Sequence, residues 1–153
     1  MMHTDIKIVK MSPDHMDAVE ELENTCFSHP WCRKDLDNQL TLDTSHFLVA
    51  LVDGNVAGYM GVQIFSGEGY VTNIATFPHY RRRGIAKALM CEALKNDMDF
   101  LTLEVRPSNI PAIELYKSFG FENIGIRRNF YSDPTEDAII MTRYFDEKNC
   151  KEK

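Results

Sequence analysis

The order of periodicities along the chain constrains its fold more than any other feature. After a short strand and two helical segments come three alternating apolar runs joined by short turns, and helix and strand patterns then take turns before two closing strands. Residues 46–52, the turn Asp53-Gly54-Asn55 and residues 56–65 predict a hairpin, and Ser66-Gly67-Glu68-Gly69 leads into a third strand over 70–76. After Pro78, Ile85, Ala88, Leu89, Glu92 and Ala93 recur at spacings of three and four, which predicts a helix. Residues 100–105 read as a strand. Ser108 or Asn109 then caps a helix that runs to Phe119 and closes on Gly120 as its C′ residue. Residues 121–127 and 137–144 supply two more strands.

Upstream of the hairpin, residues 6–9 predict a first strand. Ser12-Pro13-Asp14 forms a helix-start signal, followed by Met16, Val19, Leu22 and Cys26 on one helical face. Residues 33–40 predict a second, shorter helix with Leu36 and Leu40 together. The order is β-α-α-β-β-β-α-β-α-β-β. A meander followed by β-α-β-α-β implies an α/β class protein with a mixed sheet and helices on both faces. At 153 residues the expectation is one domain over 1–146, with 147–153 as a flexible C-terminal tail.

Several function classes drop out. The longest clean apolar run, residues 47–52, is far short of the roughly 20 residues a membrane span needs. The start, Met1-Met2-His3-Thr4-Asp5, lacks the basic-then-apolar pattern of a secretion signal. With 17 Lys and Arg against 23 Asp and Glu, a net charge of −6 argues against nonspecific binding to nucleic acid or an anionic membrane and suits a basic partner. Four scattered cysteines without a C-x-x-C pair fit a reduced, cytoplasmic protein. Cys26, His29 and Cys32 form C-x-x-H-x-x-C, but a structural zinc site wants a fourth ligand, and no second pair follows. No metal is expected.

Three features point to chemistry. Arg81-Arg82-Arg83-Gly84-Ile85-Ala86 opens a helix, where unpaired N–H groups and the positive end of the dipole suit phosphate. Three cations there are unfavourable unless an anion joins them. No Walker A pattern is present, which argues against a nucleoside triphosphatase. Glu104 interrupts an apolar strand, and a buried carboxylate is costly unless paired, while desolvation makes it a stronger base. Tyr116 lies on the next helix, on the side of Ala112 and Phe119.

Together these segments resemble the GNAT superfamily of acyl-CoA N-acyltransferases over nearly the full length. Arg81 to Ala86 is similar to its pyrophosphate loop, Q/R-x-x-G-x-G/A. The more specific match is Leu103-Glu104-Val105-Arg106-Pro107-Ser108-Asn109 with Ala112-Ile113-Glu114-Leu115-Tyr116-Lys117-Ser118-Phe119-Gly120-Phe121. Asn73-Ile74-Ala75, His29-Pro30-Trp31, Arg127-Arg128-Asn129-Phe130-Tyr131 and Asp137-Ala138-Ile139-Ile140-Met141 extend the resemblance to the ribosomal-protein alanine N-acetyltransferase branch.

That resemblance implies that acetyl-CoA is the co-substrate, held in a V-shaped opening between splayed parallel strands over 70–76 and 100–105. Backbone groups of Ile74, Ala75 and Thr76 would meet the pantetheine arm and acetyl carbonyl. Amides of Arg81, Arg82, Arg83, Gly84, Ile85 and Ala86 would hold the pyrophosphate, and Asn109 would also touch the cofactor. Thr76 stands where relatives often carry Val, a change that spares a backbone contact. Glu104 becomes the proton acceptor, Tyr116 the proton donor, and Phe27, Trp31 and Tyr131 walls of a peptide groove. Packing alone would account for Phe27 and Trp31 equally well. No covalent enzyme intermediate is required, so Cys91 is expected in the core.

The leading expectation is acetylation of the α-amine of a protein, a ribosomal protein beginning with alanine. A small-amine acetyltransferase of the same fold, acting on an amino acid or polyamine, is one alternative. A non-catalytic acyl-CoA-binding module that regulates a partner is another.

Overall fold

The computed structural model describes residues 5–145, so the expected tail over 147–153 and Cys150 lie outside the described residues. The strands are β1 (Ile6–Lys10), β2 (Ser45–Val52), β3 (Asn55–Phe65), β4 (Glu68–Thr76), β5 (Phe100–Val105), β6 (Glu122–Tyr131) and β7 (Glu136–Tyr144). The helices are α1 (Met16–Cys26), α2 (Arg33–Asn38), α3 (Ile85–Ala93) and α4 (Ile110–Ser118), with short 3-10 turns before α1 and α3. The strands form one mixed sheet in the order β1-β2-β3-β4-β5-β7-β6. β4 and β5 pair in parallel, Glu68 with Phe100, Gly69 with Leu101 and Tyr70 with Thr102. The pairings of β1 with β2, β2 with β3, β5 with β7 and β6 with β7 are antiparallel. This is the mixed-sheet architecture the periodicities imply.

By internal contacts the described chain divides into two compact units, 5–63 with 72–96 and 64–71 with 97–145. In the first, α1 buries Met16, Val19, Leu22 and Glu23. The first three join Met11, Leu36, Phe47, Val49, Tyr59 and Ala75 in one apolar cluster. Each large side chain taken fully out of water there contributes about 1.5–3 kcal/mol. α2 stops at Asn38, two residues early, because Leu40 and Thr41 N–H groups turn back to the Asp37 and Asn38 carbonyls in tight i to i+3 bonds. α3 packs on β1 and β2 and buries Ile85, Leu89, Met90 and Ala93. Cys91 is exposed, contrary to expectation, because position 91 falls on the face of α3 opposite that stripe. Gly58 of β3 permits a close approach: a Cβ there would sit 2.7 Å from the Ala75 carbonyl oxygen and 2.9 Å from the Ile85 side chain.

In the second unit β5 lies between β4 and β7, and its side chains alternate between fully and partly buried. Asn109 caps α4, its Oδ1 accepting from the Ala112 N–H at 3.3 Å, and Pro111 occupies the first turn. The helix carries Tyr116 into the interior, where its ring faces Phe121 at 5.8 Å between centroids. β6 runs four residues further than its periodicity suggests. Its register against β7 shifts between Asn123 and Gly125 and again between Arg127 and Tyr131, and such irregularities blur a two-residue repeat.

Candidate active site

The residues singled out by sequence fall into two groups, each inside one unit. In the first unit the 3-10 turn Pro78–Tyr80 delivers the chain into 81–86. Arg82 and Gly84 both take left-handed backbone conformations, φ +67° and +84°. A Cβ at Gly84 would meet nothing within 4 Å, so backbone conformation and not crowding asks for glycine there. Gly84 is the N-cap of α3, and the helix leaves the first N–H groups, through Ile85 and Ala86, without intrahelical acceptors. A left-handed turn feeding a helix N-terminus is a donor set suited to phosphate oxygens.

The three arginines do different things. Arg81 folds back: its Nε donates to the Thr76 carbonyl at 3.1 Å and its guanidinium reaches the Cys26 sulfur at 3.6 Å. Arg83 lies over the Tyr80 ring at 5.5 Å, and Arg82 is exposed. Cys26 donates to the Thr76 carbonyl, and burial pushes its thiol up against the opposing pull of Arg81. Arg81 and Cys26 thus brace the end of β4, where Ile74, Ala75 and Thr76 lie.

Sequence reasoning missed one residue of this group. Glu23 is 1% exposed, and its carboxylate accepts from the Trp31 N–H at 2.8 Å, the Asn73 side-chain amide at 2.9 Å and the Tyr59 hydroxyl. Burial, with the Glu23 charge beside it, pushes the Tyr59 phenol far up. The signal was present: position 23 is four residues after Val19 and seven after Met16, on the apolar stripe of α1. Of the expected groove residues, Phe27 and Trp31 are half-buried against the same apolar cluster, Trp31 facing Phe47 at 6.1 Å.

In the second unit Glu104, on β5, has a side chain only 8% exposed. It is paired on both oxygens, Oε1 accepting from the Tyr70 hydroxyl and Oε2 lying 3.0 Å from Arg127 Nε. Burial and the hydrogen bond to Glu104 push the Tyr70 phenol up. Tyr131 belongs to the same cluster: Arg106 lies over its ring at 4.3 Å, and burial together with the Glu104 charge pushes its phenol up to about 12. Arg106 is held in turn by Glu136 at 3.0 Å, and Glu136 also accepts from the Ser108 N–H and hydroxyl. These bonds, the Arg106 guanidinium foremost, hold the Glu136 carboxyl below the usual range. The Tyr116 phenol is pushed far up, by burial first and then by Tyr131. Asn109 remains at the helix cap, its Oδ1 engaged with Ala112.

Chemically, the second unit presents a nearly buried carboxylate beside phenols that keep their protons at neutral pH. The first presents a phosphate-suited loop beside a braced strand end. Among the described residues no helix is long and apolar enough to cross a membrane.

A sequence model described as the acetyltransferase (GNAT) family matches residues 16–121, which include the 81–86 loop, Glu23, Glu104 and Tyr116, and the chain belongs to that family. A Bacillus subtilis protein provisionally named a ribosomal protein bS18-alanine N-acetyltransferase is 39% identical over 145 residues, covering 92% of this chain and 96% of its own. The ribosomal protein bS18-alanine N-acetyltransferase of Escherichia coli is 34% identical over 140 residues, 88% of this chain and 94% of that protein. The crystal structure of the ribosomal-protein-S18-alanine N-acetyltransferase from Escherichia coli superposes with a TM-score of 0.83 at 32% identity, covering 92% of this chain and 94% of that one.

Proposed function

We propose that this enzyme transfers the acetyl group of acetyl-CoA to the α-amine of a protein N-terminus, and that the acceptor is a ribosomal protein beginning with alanine. The observation that carries the reading is Glu104: a carboxylate 8% exposed on β5, in a chain whose relatives are named for acetylation of an N-terminal alanine. An α-amine has a pKa of about 7.7–8.0, so at neutral pH most of it is protonated and cannot attack. Glu104 takes the proton, directly or through one water. The amine nitrogen bonds to the acetyl carbon, strand N–H groups hold the oxyanion, and the carbon–sulfur bond breaks. Tyr116, kept protonated by burial, presents its hydroxyl proton to the departing sulfur and is restored, through water, by the second proton that the nitrogen releases as it becomes an amide. Ile74, Ala75 and Thr76 offer backbone groups to the pantetheine arm. The amides over 81–86 take the pyrophosphate, with Asn109 as a further contact. Phe27, Trp31 and Tyr131 line the path of the acceptor.

The test is acetyl transfer followed by mass spectrometry, with peptides starting in Ala, Ser or Met that each carry an internal lysine, beside Nα-blocked peptides and polyamines. A single acetyl on the α-amine, strongest for Ala, is the expected result. Transfer only to polyamines or free amino acids overturns it in favour of a small-amine enzyme. Binding of acetyl-CoA with no transfer to any amine overturns it in favour of a regulatory module.

A further inference from the structure

Glu23 closes the 27–31 segment into a ring. Its backbone carbonyl accepts from the Phe27 N–H at 3.1 Å, and its carboxylate accepts from the Trp31 N–H at 2.8 Å. One residue on α1 thus holds both ends of the segment that carries Phe27 and Trp31. The other carboxylate oxygen accepts from the Tyr59 hydroxyl on β3 and from Asn73 Nδ2 on β4 at 2.9 Å. Asn73 immediately precedes Ile74, Ala75 and Thr76. Asn73 is 6% exposed, with Nδ2 on Glu23 and Oδ1 without a hydrogen-bond partner among the described residues.

A carboxylate on an otherwise apolar helix face is an expensive way to fill a core. A leucine there would pack without demanding donors, and replacing buried polar groups with well-packed apolar ones is often neutral or stabilising. What an apolar residue cannot do is fix a loop to a strand through directional bonds. From this geometry we infer that Glu23 is a positioning residue for the acceptor: it fixes the Phe27–Trp31 segment to β4, so that the acceptor chain and the acetyl donor meet in one register. The inference rests on the acetyltransferase reading above and extends it to a residue that never contacts the reacting atoms.

Trp31 is the only tryptophan in the chain, so its fluorescence reports the segment directly. Glu23→Gln keeps shape and one carbonyl acceptor but cannot serve all three donors. Tyr59→Phe removes a single donor and preserves the ring, and it serves if the first variant does not fold. The expected result is a rise of about tenfold in KM for an Ala-initiated peptide, the size of one hydrogen bond to a charged group. KM for acetyl-CoA stays within about twofold, and acrylamide quenches Trp31 more readily. If both KM values move together, Glu23 is a stability element only; if Trp31 quenching is unchanged while the peptide KM rises, Glu23 does not act through the 27–31 segment; either result overturns the inference. Failure of the wild-type enzyme on every N-terminal peptide instead refutes the functional reading itself, so the two failures are told apart.

Discussion

Replacing Glu104 by Gln separates a role in proton removal from a role in holding the fold. Gln is nearly isosteric and keeps an oxygen that can accept from Tyr70. Its loss of charge releases Arg127, whose side chain is 58% exposed and finds water readily. An ion pair that open on one side contributes about 0–1 kcal/mol. Melting should therefore move by no more than about 2–4 °C for a domain of this size. Activity behaves differently, because general base catalysis contributes about 10²–10⁴-fold. Without the base, the variant depends on amines that are already neutral, about 1–2% of them at pH 6 and about 90% at pH 9 given an ordinary α-amine. Its deficit against wild type should be largest at pH 6 and shrink by about 50-fold at pH 9. Initial rates on an Ala-initiated peptide with saturating acetyl-CoA, measured at half-unit pH steps beside a thermal melt, give both numbers. A deficit independent of pH, or one that tracks a large fall in melting temperature, would refute proton removal as the task of Glu104.

Tyr116→Phe should lower kcat while leaving the KM for acetyl-CoA unchanged, and an unaltered kcat in steady-state assays removes the residue from the mechanism. Gly58→Ala forces a Cβ against the Ala75 carbonyl and Ile85; it should cost about 1–3 kcal/mol in urea unfolding and, by displacing the start of α3, raise the KM for acetyl-CoA. Tyr131 titrates late, at about 12, so its protonated form favours the folded state below the ordinary tyrosine value near 10, and that contribution is lost as pH rises through 12. Ultraviolet titration should show one late phenol fewer in Tyr131→Phe, and an unchanged curve rejects the assignment.

The fold was legible wherever local chemistry and tertiary demand agree. β5 has its expected bounds because its alternation is uninterrupted, and α4 begins directly after its cap Asn109 because a capping side chain, a first-turn proline and a closing Gly120 all mark the same helix. Legibility failed where long-range pairing decided the outcome. β6 continues to Tyr131 only because β7 accommodates two register shifts. Glu104 was visible as a misfit in an apolar strand, but Tyr70 and Arg127 lie 34 residues before it and 23 after it, beyond the reach of any local pattern. Glu23 sat on a readable apolar stripe, yet a glutamate in a helix is so ordinary a surface residue that periodicity alone did not raise it.

The position of β7 bears on how the protein is made. In chain order β6 precedes β7, but in the sheet β7 lies between β5 and β6. During synthesis β6 therefore emerges while the strand that will join it to β5 is still inside the ribosome. Until Glu136–Tyr144 arrives, β5 and β6 each present an unpaired edge, and the exposed Ile124, Ile126 and Phe130 add apolar surface to the waiting strand. Arg127, carried on β6, cannot take its fixed place near Glu104 before then. Assembly of the Glu104 cluster is thus a late event in the life of each new chain, and a nascent polypeptide stalled before residue 136 should hold neither that part of the sheet nor that ion pair.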